Sequence, residues 1–392
     1  MPRTLIEKNA EAIPLENVTQ FYLLNHSLLH RAEPRSIVAV AGTVCGLHSQ
    51  LSLTPCFSLW NRIEDFEPEL LNDALYRGRS LVKTWAMRGT LHVIPSQDLP
   101  IYHHALERMW FEHHGRYMNS HGWPSREDRE KLIYPKILEA LAKGPLRRKD
   151  LAEKVRLLLG EEFQSCDRLF SAWGGILKET NYLGLTVHAE PLGKESCFAR
   201  LDQWLSLANI DKMDEAQARK RLLLNYLHCY GPASAQDFAC WSGLLTSEAS
   251  KAIEESLAYL KAVQIPDITK RLWMLRKDFD GLKRIDSEEK GRPLLLPKFD
   301  SYLLGHKDRT RIIDEKNLRQ VYRPVVGDVA ATLLVDGRIK GVWTHKKTAR
   351  KLTVDVRFLE KVERETLKEV EHVAEQLGDF MGAEQTGLLF HN

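Results

Sequence analysis

The sequence predicts an α+β fold, mainly helical, in which three tandem winged helix-turn-helix units precede a β-rich closing element with a C-terminal helix. Three observations predict this fold. A nine-residue segment occurs twice, each copy lies within the same order of helical and extended patterns, and the pattern becomes mostly extended after Arg292. We expect four domains, at residues 1–122, 123–210, 211–290 and 291–392.

The repeated segment reads GPLRRKDLA from Gly144 and GPASAQDFA from Gly231, with Gly, Pro, Asp and Ala in register. Glycine suits a helix C-terminus and proline suits a helical first turn, so each Gly-Pro pair is expected to end one helix and start the next. Helical patterns precede the copies at 126–142 and 215–230, and β-type runs follow at 183–189, 196–201, 262–265 and 271–279. This order is typical of a winged helix-turn-helix unit.

The N-terminal part follows the same order. Helical patterns at 16–29, 36–44, 55–62 and 68–77 precede a hairpin in which 81–87 and 90–94 flank Arg88-Gly89. A long helix, capped by Ser96 and ending near residue 117, is expected to link this unit to the second one.

The closing element carries a strong hairpin signal. Asp336-Gly337 separates extended runs at 332–335 and 338–343, which predicts a type I′ turn. Residues 351–357 supply another strand. A short helix at 302–305 precedes these strands, and residues 360–381 form an amphipathic helix rich in carboxylates.

The composition indicates a folded, soluble protein, since 43% of the 392 residues are hydrophobic and 28% are charged. The N-terminus lacks a signal-peptide pattern, and the longest nearly apolar stretch, 36–47, is shorter than the roughly 20 residues that span a bilayer. We therefore expect a cytoplasmic protein. The net charge of +3 neither requires nor excludes nucleic acid, because what matters is the clustering of basic residues on one face.

Neither the cysteines nor the histidines predict a metal site. The six cysteines are scattered without a C-x-x-C pair, which indicates reduced thiols, mostly in the core. The pairs His103-His104 and His113-His114 lie about 15 Å apart along one predicted helix and cannot share an ion, so a surface or groove-lining role is expected for them. We expect no metal ion and no cofactor.

The pair most suited to chemistry is His48 and Gln50. Residues i and i+2 of a helix point in different directions, so these side chains can act on one target only from extended backbone. A neutral imidazole and a carboxamide together suit the holding of a water molecule. The local sequence alone also fits a structural histidine that pairs with the end of a helix.

Four separated motifs occur in an order that resembles one family. They are Gly46 to Gln50; Thr84 to His92; Tyr230 to Ala233 with Asp237-Phe238 and Trp241-Ser242-Gly243; and Leu296-Pro297 with Phe299-Asp300, Tyr302 to Gly305 and Lys307-Asp308-Arg309. Over most of its length the chain resembles the AlkZ/YcaQ-type winged-helix DNA glycosylases.

The resemblance implies tandem winged helices with a β-barrel-like element and a monofunctional DNA glycosylase that excises bulky alkylpurines, including interstrand crosslinks, from double-stranded DNA. It also implies a nucleoid-associated location through DNA, and we expect a monomer without membrane contact. The family motif is Gln-x-Gln or Gln-x-Asp with an apolar middle residue. Here it reads His48-Ser49-Gln50, which departs at the first and middle positions.

Alkylation at N7 or N3 places positive charge on a purine and weakens its glycosidic bond, so the enzyme needs mainly to position water and favour the developing charge. In this interpretation His48 accepts a proton from the water and Gln50 orients it.

Five further residues are candidate DNA contacts. Arg88 and His92 either belong to an ordinary buried hairpin or lie near the phosphates or the active site. Lys307 and Arg309 either face solvent or bind phosphates, with Asp308 holding one of them or facing the positive lesion.

Two alternative functions stay open. A non-catalytic winged-helix regulator would prefer one DNA sequence and leave an alkylated duplex chemically intact. A different nucleic-acid hydrolase has less support, because the sequence lacks a P-loop, a metal-binding carboxylate cluster and a nucleophile motif in a suitable context.

Overall fold

The computed structural model describes residues 11–120, 123–160, 169–171, 175–206, 213–266 and 268–391. About 50% of the chain is helical and 22% is strand, which confirms the α+β class. The chain divides into a first unit, Met1–Leu70 with Leu223–Trp241 and Leu245–Asn392, and a second unit, Leu71–Leu222 with Ser242–Leu244. The division into four domains stays a prediction, and its limits at 122 and 210 lie outside the described residues.

The second unit contains the first copy of the repeat. Its helices are Asp73–Arg77, Leu99–Ser120, Arg126–Asp128, Arg129–Ile133, Tyr134–Ala140, Arg148–Leu159, Gly175–Tyr182 and Leu201–Trp204, and its strands are Leu81–Trp85, Leu91–Pro95, Leu146–Arg147, Thr186–Leu192 and Glu195–Arg200. Two antiparallel hairpins result, in which Lys83 lies opposite Val93 and His188 lies opposite Phe198. Trp85, Trp110 and Tyr182 belong to the buried core of this unit.

The first unit contains most of the remaining elements. Its helices are Leu15–Asn25, Ile37–Thr43, Thr54–Arg62, Thr246–Glu254, Phe279–Arg284, Ser301–Leu304, Leu318–Val321 and Arg364–Phe380; its strands are Glu11–Ala12, Leu47–His48, Leu260–Gln264, Leu272–Leu275, Leu294–Leu296, Tyr322–Arg323, Asp328–Val329, Thr332–Val335, Arg338–Lys347, Lys351–Phe358 and Gln385–His391. Helices Pro68–Asn72, Glu215–Tyr230 and Ala235–Ser242 cross the limits between the units.

Neither proline of the repeat starts a helix, so that part of the prediction is wrong. The helices begin three residues later, at Arg148 and Ala235. In both copies the intervening residues pair with the hairpin that follows: Leu146 lies opposite Phe198, and Ala233 lies opposite Trp273. Backbone pairing with a strand therefore precedes each helix.

The five longest C-terminal strands form an open sheet in the order Leu294–Leu296, Thr332–Val335, Arg338–Lys347, Lys351–Phe358 and Gln385–His391. Within the described residues the two outer strands do not pair, so the sheet is not a closed barrel. The last strand, which runs parallel to its neighbour, was not predicted. Asp336 and Gly337 have φ values of 47° and 75°, which confirms the predicted type I′ hairpin.

Two predicted bounds are wrong for local reasons. The strand predicted at 271–279 covers only Leu272–Leu275, because a 3-10 turn at Arg276–Asp278 follows it and leads into a helix that begins at Phe279. The Phe279 side chain is buried in the core with Phe21. Ser96 does not cap the long helix. Its hydroxyl donates instead to the carbonyl oxygen of Arg79 at 2.6 Å, and the helix begins at Leu99.

The described cysteines are reduced thiols, as predicted: Cys45, Cys197 and Cys229 are buried, Cys56 is half-buried and Cys240 is exposed. Cys166 lies outside the described residues.

Among the described residues six histidines are buried: His26, His48, His92, His103, His188 and His306. The burial of His103 corrects its predicted surface role, whereas the side chains of His113 and His114 lie outside the described part of the chain. Burial lowers the pKa of His103 to about 4, and burial together with the nearby Arg311 lowers the pKa of His306 to about 3. The folded protein therefore keeps these rings neutral.

We predict that acidification destabilises the fold. Between the unfolded pKa of histidine, about 6.5, and these lowered folded values, the unfolded chain binds more protons, so the free energy of unfolding falls as pH decreases from about 6.5 towards 4. Urea unfolding at pH 7.5, 6 and 5 measures the free energy of unfolding. His103→Leu is expected to reduce the pH dependence, and His372→Leu, at an exposed site, is expected to keep it. A pH-independent free energy of unfolding in this range would contradict the prediction.

Candidate active site

His48 and Gln50 lie in non-helical backbone, which is the condition for their cooperation. The two-residue strand Leu47–His48 is buried, with His48 4% exposed, whereas Gln50 is exposed. The backbone N–H of Gln50 donates to Nδ1 of His48 at 3.5 Å. In this arrangement a neutral ring carries its proton on Nε2.

The imidazole of His48 stacks on Phe299. The ring centroids lie 4.6 Å apart and the planes differ by 15°. Phe299 has a φ of 60°, a left-handed conformation that a bulky side chain adopts only where the surroundings hold it. The position of His48 therefore depends on what holds residues 298–301.

A buried ion pair holds this segment. Asp300 Oδ1 lies 2.7 Å from one terminal nitrogen of Arg62, and Oδ2 lies 2.9 Å from the other, with both side chains 0% exposed. The hydroxyl of Ser58 donates to Oδ2 at 2.6 Å, and the N–H of Tyr302 donates to Oδ1 at 3.0 Å. The carboxylate thereby anchors residue 300 to helix Thr54–Arg62 and caps helix Ser301–Leu304.

Two hydroxyls hold the chain that leads into His48. Ser301 donates to the carbonyl oxygen of Gly46 at 3.0 Å, and Tyr230 donates to that of Val44 at 2.8 Å. Cys45 and Gly46, which follow Val44, both have positive φ. This backbone turns the chain out of helix Ile37–Thr43 and into strand Leu47–His48.

Residues 307–309 form a second predicted site in the same unit. The backbone N–H of Lys307 donates to Oδ1 of the buried Asp237 at 2.9 Å. The residue itself is exposed. Asp308 Oδ2 lies 3.0 Å from Nζ of Lys270. Partial burial raises the pKa of Asp308, but the hydrogen bonds from the Thr310 hydroxyl and Lys270 outweigh this effect and lower the pKa to about 2.

Arg309 differs from its exposed neighbours. Its guanidinium lies over the ring of Tyr322, 4.1 Å from the centroid, and the residue is half-buried. Arg309 thus has a packing role whether or not it also contacts DNA.

Arg88 and His92 belong to the second unit. Arg88 lies in the turn between strands Leu81–Trp85 and Leu91–Pro95 with a φ of 54°, and a Cβ added at Gly243 would approach its backbone to 3.3 Å. His92 is buried, and its Nδ1 lies 3.0 Å from the carbonyl oxygen of Thr90. Donation from Nδ1 leaves Nε2 as the acceptor in a neutral ring. The DNA-binding roles of both residues stay predictions.

Sequence reasoning missed Arg62, Ser58 and the hydroxyl of Tyr230 as residues that position the site. An arginine near the end of the apolar helix pattern at 55–62 was the available signal for Arg62. In the described part of the chain, no three His, Cys, Asp or Glu residues lie close enough together to hold a metal ion. No described helix has the length and apolar character needed to span a bilayer.

We predict that Asp300→Ala strongly destabilises the first unit. Removing one partner leaves the Arg62 charge buried and uncompensated, which typically costs about 3–5 kcal/mol. Urea unfolding measures the loss. Glu130→Ala, which removes an exposed i,i+4 partner of Arg126, is the matched control and is expected to cost no more than about 0.5 kcal/mol. A loss of similar size in both variants would contradict a structural role for the buried pair.

Comparisons with known proteins identify the family and the fold. The family model described as DNA glycosylase AlkZ-like matches residues 41–380. A relative from Streptomyces sahachiroi, named an interstrand DNA cross-link repair glycosylase, is 26% identical over 333 residues, which cover 79% of this chain and 83% of the relative. The solved structure of Streptomyces sahachiroi DNA glycosylase AlkZ shares the fold with a TM-score of 0.82 at 24% identity, covering 97% of this chain and 100% of that one.

The family match covers most of the chain and includes His48, Gln50, Asp300 and residues 307–309. It confirms the resemblance first suggested by the four motifs. The chain therefore belongs to the AlkZ-like family of DNA glycosylases, which are hydrolases of N-glycosyl bonds.

Proposed function

We propose that the protein hydrolyses the N-glycosidic bond of alkylated purines in double-stranded DNA, with His48 and Gln50 acting on the attacking water. The single observation that carries the proposal is the placement of a buried, ring-stacked histidine beside an exposed glutamine on extended backbone. The name of the Streptomyces sahachiroi relative supports bulky lesions, including interstrand crosslinks, as the substrate class.

The chemistry needs little beyond a held water molecule. A purine alkylated at N7 or N3 carries positive charge, so the electron pair of the breaking bond neutralises the leaving base. Water then attacks C1′ of the sugar and must lose a proton. Holding the water in line and accepting that proton lowers the barrier without a covalent intermediate.

The hydrogen bond at His48 Nδ1 determines how this residue can act. In a neutral ring Nε2 can accept a proton only when Nδ1 carries the ring proton. A protonated Nδ1 cannot accept the hydrogen bond from the backbone N–H of Gln50, so the two arrangements exclude each other. At 3.5 Å that bond is long and weak. We propose that substrate binding breaks it, so that Nε2 accepts the water proton while the amide oxygen of Gln50 accepts a hydrogen bond from the same water.

DNA binding is proposed for the exposed cation at Lys307, with Arg309 beside it and Asp308 holding the loop against Lys270. Arg88 and His92 are proposed to contribute to binding from the second unit. Phosphate contacts from such residues position a protein on DNA without selecting a base sequence.

We further propose that the segments around the two repeat copies and the N-terminal part are winged helices and that the protein acts as a monomer.

The first test concerns the two proposed catalytic residues. His48→Ala and Gln50→Ala are each expected to slow single-turnover excision of N7-methylguanine from a duplex by about 10²-fold or more, because each removes a group that acts on the water. Circular dichroism and DNA affinity are expected to stay near wild type, and exposed His372→Ala serves as the control. Losses below about tenfold in both variants would remove the pair as catalysts.

A pH profile separates proton acceptance from simple orientation. With histidine as the base, the wild-type excision rate is expected to fall as pH decreases through the histidine range, because a protonated ring cannot accept another proton. His48→Gln, which restores the family residue, is expected to flatten this profile. An unchanged profile in His48→Gln would show that orientation alone suffices.

The third test concerns Lys307. Lys307→Ala is expected to weaken binding to damaged and undamaged duplex alike and to lower the slope of log affinity against log salt by about one, because one phosphate contact is lost. Lys368→Ala is the control, since this exposed lysine lies on the carboxylate-rich helix Arg364–Phe380. An affinity and salt slope equal to wild type for Lys307→Ala would show that this cation faces solvent.

A further inference from the structure

We propose that a cavity next to the candidate active site binds the apolar aromatic part of a bulky adduct while the alkylated purine is excised. This inference rests on the proposed function and extends it to the part of the lesion beyond the base. The cavity has a volume of about 410 Å³ and lies entirely within the first unit.

The walls of the cavity continue directly from the two segments that form the candidate site. Leu51 to Thr54 line one side and immediately follow Gln50. Pro297 and Lys298 line another side and immediately precede Phe299, which stacks on His48. The Thr54 hydroxyl donates to the Lys298 carbonyl oxygen at 3.1 Å and joins these walls. A group attached to the reacting purine can therefore reach the cavity.

Three rings in mutual contact, Phe57, Trp343 and His345, also line the cavity. The Phe57 centroid lies 6.1 Å from that of Trp343 and 5.5 Å from that of His345, and the latter two lie 5.6 Å apart. The Trp343 Nε1–H donates to the carbonyl oxygen of Leu296 at 2.8 Å, which satisfies the only polar atom of the indole. Phe57 and Trp343 are buried and His345 is half-buried, so this aromatic wall is preformed and His345 is its most accessible ring.

The chemistry of the lining selects an apolar aromatic occupant over a phosphate. Burial lowers the pKa of His345, which favours the neutral ring, and the charge of Lys298 is paired with Asp328 at 2.8 Å. Leu51 and Leu53 stay about half exposed at the mouth, where a ligand would cover them. The volume falls in the range of roughly 300–1,000 Å³ typical of small-molecule sites, and aromatic pairs stabilise one another at centroid distances of about 4.5–7 Å.

The test compares two lesions that share the reacting base. Single-turnover excision is measured on duplexes containing N7-methylguanine or N7-(1-pyrenylmethyl)guanine. Leu53→Asp is expected to lower the ratio of the pyrenyl rate to the methyl rate by about tenfold relative to wild type, because a carboxylate at the mouth opposes apolar contact. The control is Leu389→Asp, at an exposed leucine of similar exposure on strand Gln385–His391. An unchanged ratio in Leu53→Asp would overturn the proposal.

Binding of the free bases separates failure of the cavity from failure of the proposed function. The wild-type protein is expected to bind free N7-(1-pyrenylmethyl)guanine at least about tenfold more tightly than free N7-methylguanine. Pyrene fluorescence measures the first affinity, and competition measures the second. The Leu53→Asp variant is expected to lose this preference. Equal binding of the two bases by wild type would overturn the cavity proposal even if both lesions are excised. Absence of excision of either lesion would instead contradict the proposed function.

Discussion

The ion pair between Asp300 and Arg62 is the interaction on which the arrangement around His48 depends. Two fully buried charges lose their hydration, and only close geometry with further hydrogen bonds compensates for that loss. Here both carboxylate oxygens contact the guanidinium, and Ser58 and the Tyr302 backbone N–H add two further bonds. The backbone at residue 300 is thereby held in one position.

This anchor explains the unusual backbone next to it. Phe299 adopts a positive φ that its side chain disfavours, and the contacts on either side maintain that conformation. Its ring then stacks on His48, while Ser301 binds the carbonyl oxygen of Gly46. A backbone held in this way places the imidazole in one position, which suits a reaction that needs mainly a positioned water molecule because its leaving group is already activated.

The sequence predicted the features that depend on local patterns. The helix at 55–62 and the turn at Asp336-Gly337 were predicted, because amphipathic spacing and turn residues act over a few positions. The motif at His48 and Gln50 was recognised from its context, and the two-residue spacing predicted that these side chains can cooperate only from non-helical backbone.

Features that depend on distant contacts were not predictable in the same way. Arg62 and Asp300 lie 238 positions apart, and nothing local pairs them. Strand Gln385–His391 forms because it can add to an existing strand, and the helix after Pro145 starts late because Leu146 pairs with a later hairpin. The burial of His103 likewise depends on tertiary packing rather than on its position along a helix.

The most direct test of the central claim is the formation of abasic sites by the wild-type protein, in molar excess over a duplex carrying one N7-methylguanine, against a protein-free sample that measures spontaneous loss of the base. We expect a single-exponential release of the methylated base at a rate well above the spontaneous one, with abasic sites formed in equal amount and unmodified guanine left intact. Binding of the duplex without any release above the spontaneous rate would contradict it and would favour a DNA-binding regulator.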